Sequence, residues 1–230
     1  MCEVRRRELM ADDGDRDAVE AEYVKAEYPT GLREKKKART RQALSDAAIA
    51  LFMEKGFDGV SVAEVAAAAE VSKPTLFRYF PAKEDLVLHR FADHEGESAR
   101  VVEAGRVYGT APLDALYEHL LEGLERRDPV TGLCEVPAVL AYHRLLYGTP
   151  ALLAAIHGYQ QRSEEVLAKA LGGDPLVARL AAAQIVAVLR VLANENVARL
   201  TAGDPIEEVG RDAVTAAGEA FRSLRQGLPY

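Results

Sequence analysis

The chain has 230 residues, 49% of them hydrophobic, with no tryptophan and only two cysteines, Cys2 and Cys134. This length is enough for one large or two small cores, and two distant cysteines outside any CxxC spacing exclude a disulfide scaffold and point to an intracellular protein. A formal charge of −7 weighs against a phosphate-binding surface over the whole chain, but residues 33–90 carry 11 basic against 8 acidic side chains, whereas residues 1–32 carry 5 against 9 and residues 91–230 carry 13 against 19.

Residues 1–32 mix charge, glycine and aspartate without a sustained period, and cannot bury enough surface to fold alone. They are expected to form a solvated tail. The alternative is that Arg5, Arg6 and Arg7 act as a basic arm for a minor groove, against the opposing field of Glu3, Glu8, Asp12 and Asp13. No apolar run follows these arginines, so a signal peptide is not expected.

From Arg33 a basic run, Lys35, Lys36, Lys37, Arg39 and Arg41, leads into a helix whose inner face is Leu44, Ala47, Ala48, Leu51 and Phe52. It is expected to end near Lys55, where Gly56 can take the left-handed conformation and Phe57 can fold back on the last turn. Ser61 and Glu64 then have the spacing of a reciprocal capping box, which starts a short second helix with Val62, Val65, Ala66 and Ala69 inward. Ser72 caps a third helix, Lys73 to Phe80, in which Pro74 is tolerated because a first-turn amide needs no helical acceptor. At about 100° per residue, Leu76 and Phe80 face the second helix while Pro74 and Arg78 face out, flanked by Thr75 and Phe77. Two short helices in this arrangement suit the major groove of DNA.

Beyond Pro81 the pattern predicts helices over 83–103, 112–127, 135–147, 150–171, 175–201 and 205–226, with the breaks marked by glycine followed by proline. No stretch alternates as a half-buried strand does, so the fold is expected to be all-α. A division of the chain is expected between 33–90 and 91–230. Ala181 to Leu192 is apolar nearly all round. Too short to span a bilayer and interrupted by Gln184 and Arg190, it is read as a helix buried on both sides. With Ala213, Val214, Ala217, Ala220, Phe221 and Leu224 it is expected to form a four-helix interface between two copies. The alternative is a core helix within one chain. A soluble cytoplasmic protein without a membrane partner is expected.

The segments from Lys37 to Leu44, Leu51 to Phe57, Ser61 to Ala66 and Val71 to Leu86 together closely resemble the TetR family of bacterial regulators. The resemblance covers about a quarter of the chain. It implies a homodimer whose helix-turn-helix units read two half-sites of a palindromic double-stranded DNA operator, repress transcription, and respond to an unidentified small-molecule effector held in a divergent helical domain. It implies base-facing roles for Lys73, Pro74, Phe77 and Arg78. Phosphate contacts are implied for Thr40, Ser61, Thr75, Tyr79 and Lys83. Ala63 stands where relatives often place a base-reading arginine, so the second helix contributes less to specificity.

Catalysis is not expected. His89 and His94 are off a common helix face, no phosphate loop follows a strand, and no nucleophile setting is recognisable. No cofactor and no metal are expected. Tyr117, Tyr142, His143, Tyr147, His157, Tyr159 and Gln161 fall on helices around a presumed central cavity, but no ligand residue is assigned. The rival reading is a helical sensor of a ligand or partner without direct gene control.

Overall fold

The computed structural model describes residues 31–92 and 94–230. The expected tail, with Arg5, Arg6 and Arg7, lies outside the described residues as far as position 30. Among the described residues there is no strand, in agreement with the all-α expectation. The helices are α1 (Leu32–Lys55), α2 (Val62–Ala68), α3 (Lys73–Tyr79), α4 (Asp85–Ala92), α5 (Glu97–Val107), α6 (Pro112–Glu125), α7 (Pro137–Gly148), α8 (Pro150–Leu171), α9 (Pro175–Ala202) and α10 (Ile206–Gly227). A 3-10 turn, Pro129–Thr131, precedes α7.

The chain divides into two units at Ala43 and Leu44. In the first, α1 starts with the Lys35 amide donating to the Gly31 carbonyl, and Glu34 through Arg39 are exposed while Thr40 is half-buried. The second unit begins with the apolar half of α1. Leu44, Ala48 and Phe52 are buried there with Phe57, Val60, Val65, Ala66, Leu76 and Phe80, and α4 adds Leu86, Val87 and Leu88. Gly56 at φ +78° closes α1 as expected, and Phe57 packs on Phe52 with ring centroids 5.0 Å apart. The same cluster takes in Leu146 of α7 and Leu152 and Ile156 of α8, so the short helices are anchored on the rest of this unit.

The remaining helices pack in a ring: α5 on α6, α6 on α10, α10 on α9, α9 on α8 and α8 back on α5. Their common core includes Val102, Leu113, Leu116, Leu167, Ala181, Ala182, Ile185 and Phe221. The helix starts use the signals legible in the sequence. Asp174, for example, accepts from the Leu176 and Val177 amides at 3.0 Å each, with Pro175 in the first turn.

Two expectations are corrected. The single helix expected over 83–103 is two, α4 and α5, because no large apolar side chain lies between Ala92 and Ala99 to hold a continuous helix on the core. Instead His94 and Glu97 amides make tighter bonds to the Phe91 and His94 carbonyls. The expected interface residues of α10 also divide differently. Ala213, Ala217, Phe221 and Leu224 are buried in their own chain and Ala220 is half-buried, while Val214 is 45% exposed on an outer face that also carries Arg211, Asp212, Glu219 and Arg222. On α9, Ala181, Ala182 and Ile185 are likewise internal, but Leu176, Leu180 and Val191 are 63%, 55% and 55% exposed. By length and composition α9 is the one described helix that matches a membrane span, yet it packs on α8 and α10 and carries Gln184, Arg190, Asn194 and Asn196.

Candidate nucleic-acid interface

The helix-turn-helix is set by caps at both helix starts. Ser61 Oγ accepts from the Glu64 amide at 3.2 Å and the Ser61 amide donates to Glu64 Oε2 at 2.8 Å, which is the reciprocal box expected from the sequence. The Ser61 amide and hydroxyl hold the Glu64 carboxyl below its ordinary range. Because Ser61 Oγ is an acceptor in this box and is exposed, its O–H remains able to donate outward.

The turn into α3 passes through Glu70 at φ +55°, where the Val71 amide reaches the Ala66 carbonyl at 2.9 Å. A left-handed conformation at a residue other than glycine is costly and is held here by the packing of Ala66 below and Val71 beside it. Ser72 Oγ then accepts from the Thr75 amide at 3.3 Å, and the two hydroxyls lie 2.8 Å apart.

On α3, Leu76 is fully buried and Phe80 nearly so. Lys73, Pro74, Phe77 and Arg78 are exposed, while Thr75 and Tyr79 are half-buried. The outward side therefore presents two cations, each beside an aromatic ring: Lys73 Nζ is 5.8 Å from the centre of the Phe77 ring, and the Arg78 guanidinium is 5.6 Å from that of Tyr79. Tyr79 also packs on the core, so its ring anchors α3. Ala63 on α2 is exposed.

Thr40 belongs to the unit before Leu44, where its hydroxyl donates to the Lys36 carbonyl at 3.0 Å. Lys83 is engaged inward. Its ammonium donates to the Phe57 carbonyl and lies 4.2 Å from the Phe57 ring centre and 5.2 Å from that of Phe52. This use of Lys83 was not legible from its position after Pro81. Lys83→Met should keep the aliphatic packing and lose the carbonyl bond and the ring contacts, costing about 1–3 kcal/mol, read as a lower midpoint in chemical denaturation.

Ser45 and Asp46, which sequence reasoning missed, and Tyr142, which it placed at a cavity, each act on α4. Ser45 Oγ, fully buried, donates to the Leu86 carbonyl at 2.7 Å, Arg90 pairs with Asp46 at 2.8 Å, and the Tyr142 hydroxyl donates to the Val87 carbonyl at 2.9 Å. Burial pushes the Tyr142 phenol well above its ordinary range, so it remains a donor. Phe91, in the last turn of α4, lies with its ring tilted against Tyr142 and Tyr159 and lines a cavity of about 180 Å³.

Of the seven residues expected around a cavity, His143, Tyr147 and Tyr159 line it. Tyr142 serves α4, Tyr117 packs on Phe221 with Arg225 over its ring, and His157 and Gln161 are exposed. The lining also includes Glu97, Gln160, Ser163, Arg190 and Asn194. Arg190 read only as an interruption of the apolar run from Ala181 to Leu192, and Asn194, two residues beyond that run, was not singled out.

Residues 44–89 match the model of bacterial regulatory proteins of the tetR family. The chain is 34% identical over 137 residues to the HTH-type transcriptional regulator TcmR of Streptomyces glaucescens, covering 59% of each protein. It is 32% identical over 93 residues to the HTH-type transcriptional regulator YvkB of Bacillus subtilis, covering 40% of this chain and 48% of that one. The chain thus spans about half to three fifths of the length of these curated relatives. Among solved structures it resembles NalD of Pseudomonas aeruginosa, the secondary repressor of the MexAB-OprM multidrug efflux pump. That likeness has a TM-score of 0.53 at 22% identity, over 84% of this chain and 98% of that one, and it bears on the fold alone.

Proposed function

We propose, from the match of residues 44–89 to the model of bacterial regulatory proteins of the tetR family, that the chain is a cytoplasmic, sequence-specific DNA-binding repressor of that family. In this reading a homodimer binds a palindromic operator, and a small molecule in the cavity of each chain releases it. The observation that carries the reading is α3: an anchored two-turn helix whose exposed side presents Lys73, Pro74, Phe77 and Arg78. Arg78 has the two parallel donors that guanine O6 and N7 accept. Thr75 and Tyr79 supply hydroxyls to flanking phosphates, and so does Ser61 through its free O–H. Thr40 is proposed as a further phosphate contact. Lys83 joins them only by leaving the Phe57 carbonyl, so its larger role is to hold the loop before α2. The domain limits proposed are 33–90 for DNA binding and 91–230 for effector binding and dimerisation.

Two observations support the dimer and the switch. The exposed apolar stripe of α9, Leu176, Leu180 and Val191, needs cover, and a second copy of the same stripe supplies it. Phe91 lies in the cavity wall while Val87 and Leu86, one turn earlier on α4, are bonded by Tyr142 and Ser45. A ligand that displaces Phe91 acts on α4 and through it on the core beneath α3.

Arg78→Ala should lower affinity for the preferred site by about 10–100-fold, the worth of a bidentate base contact, while binding to unrelated DNA changes little. Fluorescence anisotropy on both DNAs measures it. Equal losses on both would reassign Arg78 to the phosphates. A helical sensor without gene control would instead bind both DNAs weakly and without the steep salt dependence of phosphate contacts.

A further inference from the structure

We infer that the cavity between α4, α5, α7, α8 and α9 is built for a small aromatic acid, one or two rings bearing a carboxylate or comparably acidic oxygen that pairs with Arg190. The inference rests on the reading of this cavity as the effector site and assigns the chemical class of the effector.

The walls supply the ring preference. Phe91, His143, Tyr147 and Tyr159 all line the space, and the His143 and Tyr147 rings are stacked at 5.8 Å with only 9° between their planes. Burial pushes His143 below its ordinary range, so this wall is uncharged at neutral pH. Ile156, Val186, Leu189 and Ala193 complete an apolar lining. A cavity of about 150 Å³ takes up benzene, so one of about 180 Å³ encloses one ring with room for a short substituent, and a second ring extends toward Arg190, which is exposed.

The charges supply the acid preference. Both carboxylates in the lining are already matched. Glu95 accepts from Arg162 at 3.0 Å, and Glu97 is held by His94 at 2.7 Å and His119 at 3.1 Å. Arg190, by contrast, has no carboxylate within ion-pair distance among the described residues, and it lies close enough to the Tyr147 phenol to act on it, with Asn194 at the same hydroxyl. The unmatched charge of the lining is therefore positive. A planar guanidinium beside an amide is a bidentate receptor for a carboxylate.

The hydroxyls of the lining are donors as well. Ser163 Oγ lines the same space, shielded from solvent and beside the Tyr159 phenol. Burial pushes the Tyr159 phenol up to about 12, so it too presents a proton rather than a charge.

Calorimetry on the full chain without DNA tests the assignment with three probes of one shape: 2-naphthoate, 2-naphthamide and 2-naphthylmethylammonium. The acid should bind about tenfold or more tighter than either of the others. Arg190→Gln should erase that preference while leaving amide binding in place, and Arg190→Lys should restore part of it. Equal or tighter binding of the amide or the cation, an undiminished preference in Arg190→Gln, or no binding of any probe overturns the inference. Since no DNA is present, these outcomes are separate from failure of the operator reading, which only the DNA titrations report.

Discussion

Leu180→Asp on α9 is expected to turn the protein into a monomer at micromolar concentration and to weaken operator binding by about 10³-fold or more. The size of the effect follows from the difference between specific dimeric binding and the non-specific, single-unit level. Leu180 is 55% exposed in a single chain, on the same face as Leu176 and Val191, so an aspartate there costs the isolated chain little. Its cost falls on an apolar interface, where an unpaired carboxylate would have to be buried. Leu176 and Val191 are 63% and 55% exposed beside Leu180, and large apolar side chains left exposed on one helix face mark an interaction surface. Light scattering coupled to size exclusion reads the assembly, and anisotropy on the same sample reads the DNA affinity. A variant that remains dimeric would move the interface away from α9.

Gly132→Ala should be the most damaging single methyl addition at a glycine among the described residues. Gly132 sits at φ +73°, and a Cβ there would stand 2.0 Å from the Ala193 carbonyl oxygen of α9. The left-handed conformation and the overlap together cost about 3 kcal/mol. In a protein of this size that lowers the melting temperature by roughly 6–12 °C. Gly109→Ala is the control: it has the same backbone conformation, φ +76°, and open space around it, so it pays the conformational cost alone. Similar melting temperatures for the two variants would show that the close approach to α9 carries no weight. The damage should extend to the cavity. The Asn196 side chain, nearly buried, donates to the Thr131 carbonyl at 2.9 Å, and Pro129 and Val130 of the same turn line the space.

The helix-turn-helix was legible because its signals are local. Ser61 with Glu64, Ser72 with Pro74, and the inward pair Leu76 and Phe80 each depend on neighbours within a turn, and each appears as read. What the sequence did not yield depends on distant partners. Lys83 reads as an outward phosphate contact until Phe57, 26 residues earlier, is seen to meet it. The faces of α10 looked suited to an interface because an apolar stripe is the same whether a neighbouring helix or a second copy covers it, and Phe221 is covered by its own chain. Arg190 read as an interruption of an apolar run, and its place in a cavity wall follows only from the packing of α7, α8 and α9.

The most direct test of the central claim is selection of bound sequences from random double-stranded DNA with the purified full-length protein. The account predicts enrichment of an inverted repeat whose half-sites lie about one helical turn apart, or a simple multiple of it, with the preference within each half-site relaxed in Arg78→Ala. Recovery of unenriched sequence, or of a site without any inverted repeat, would contradict it.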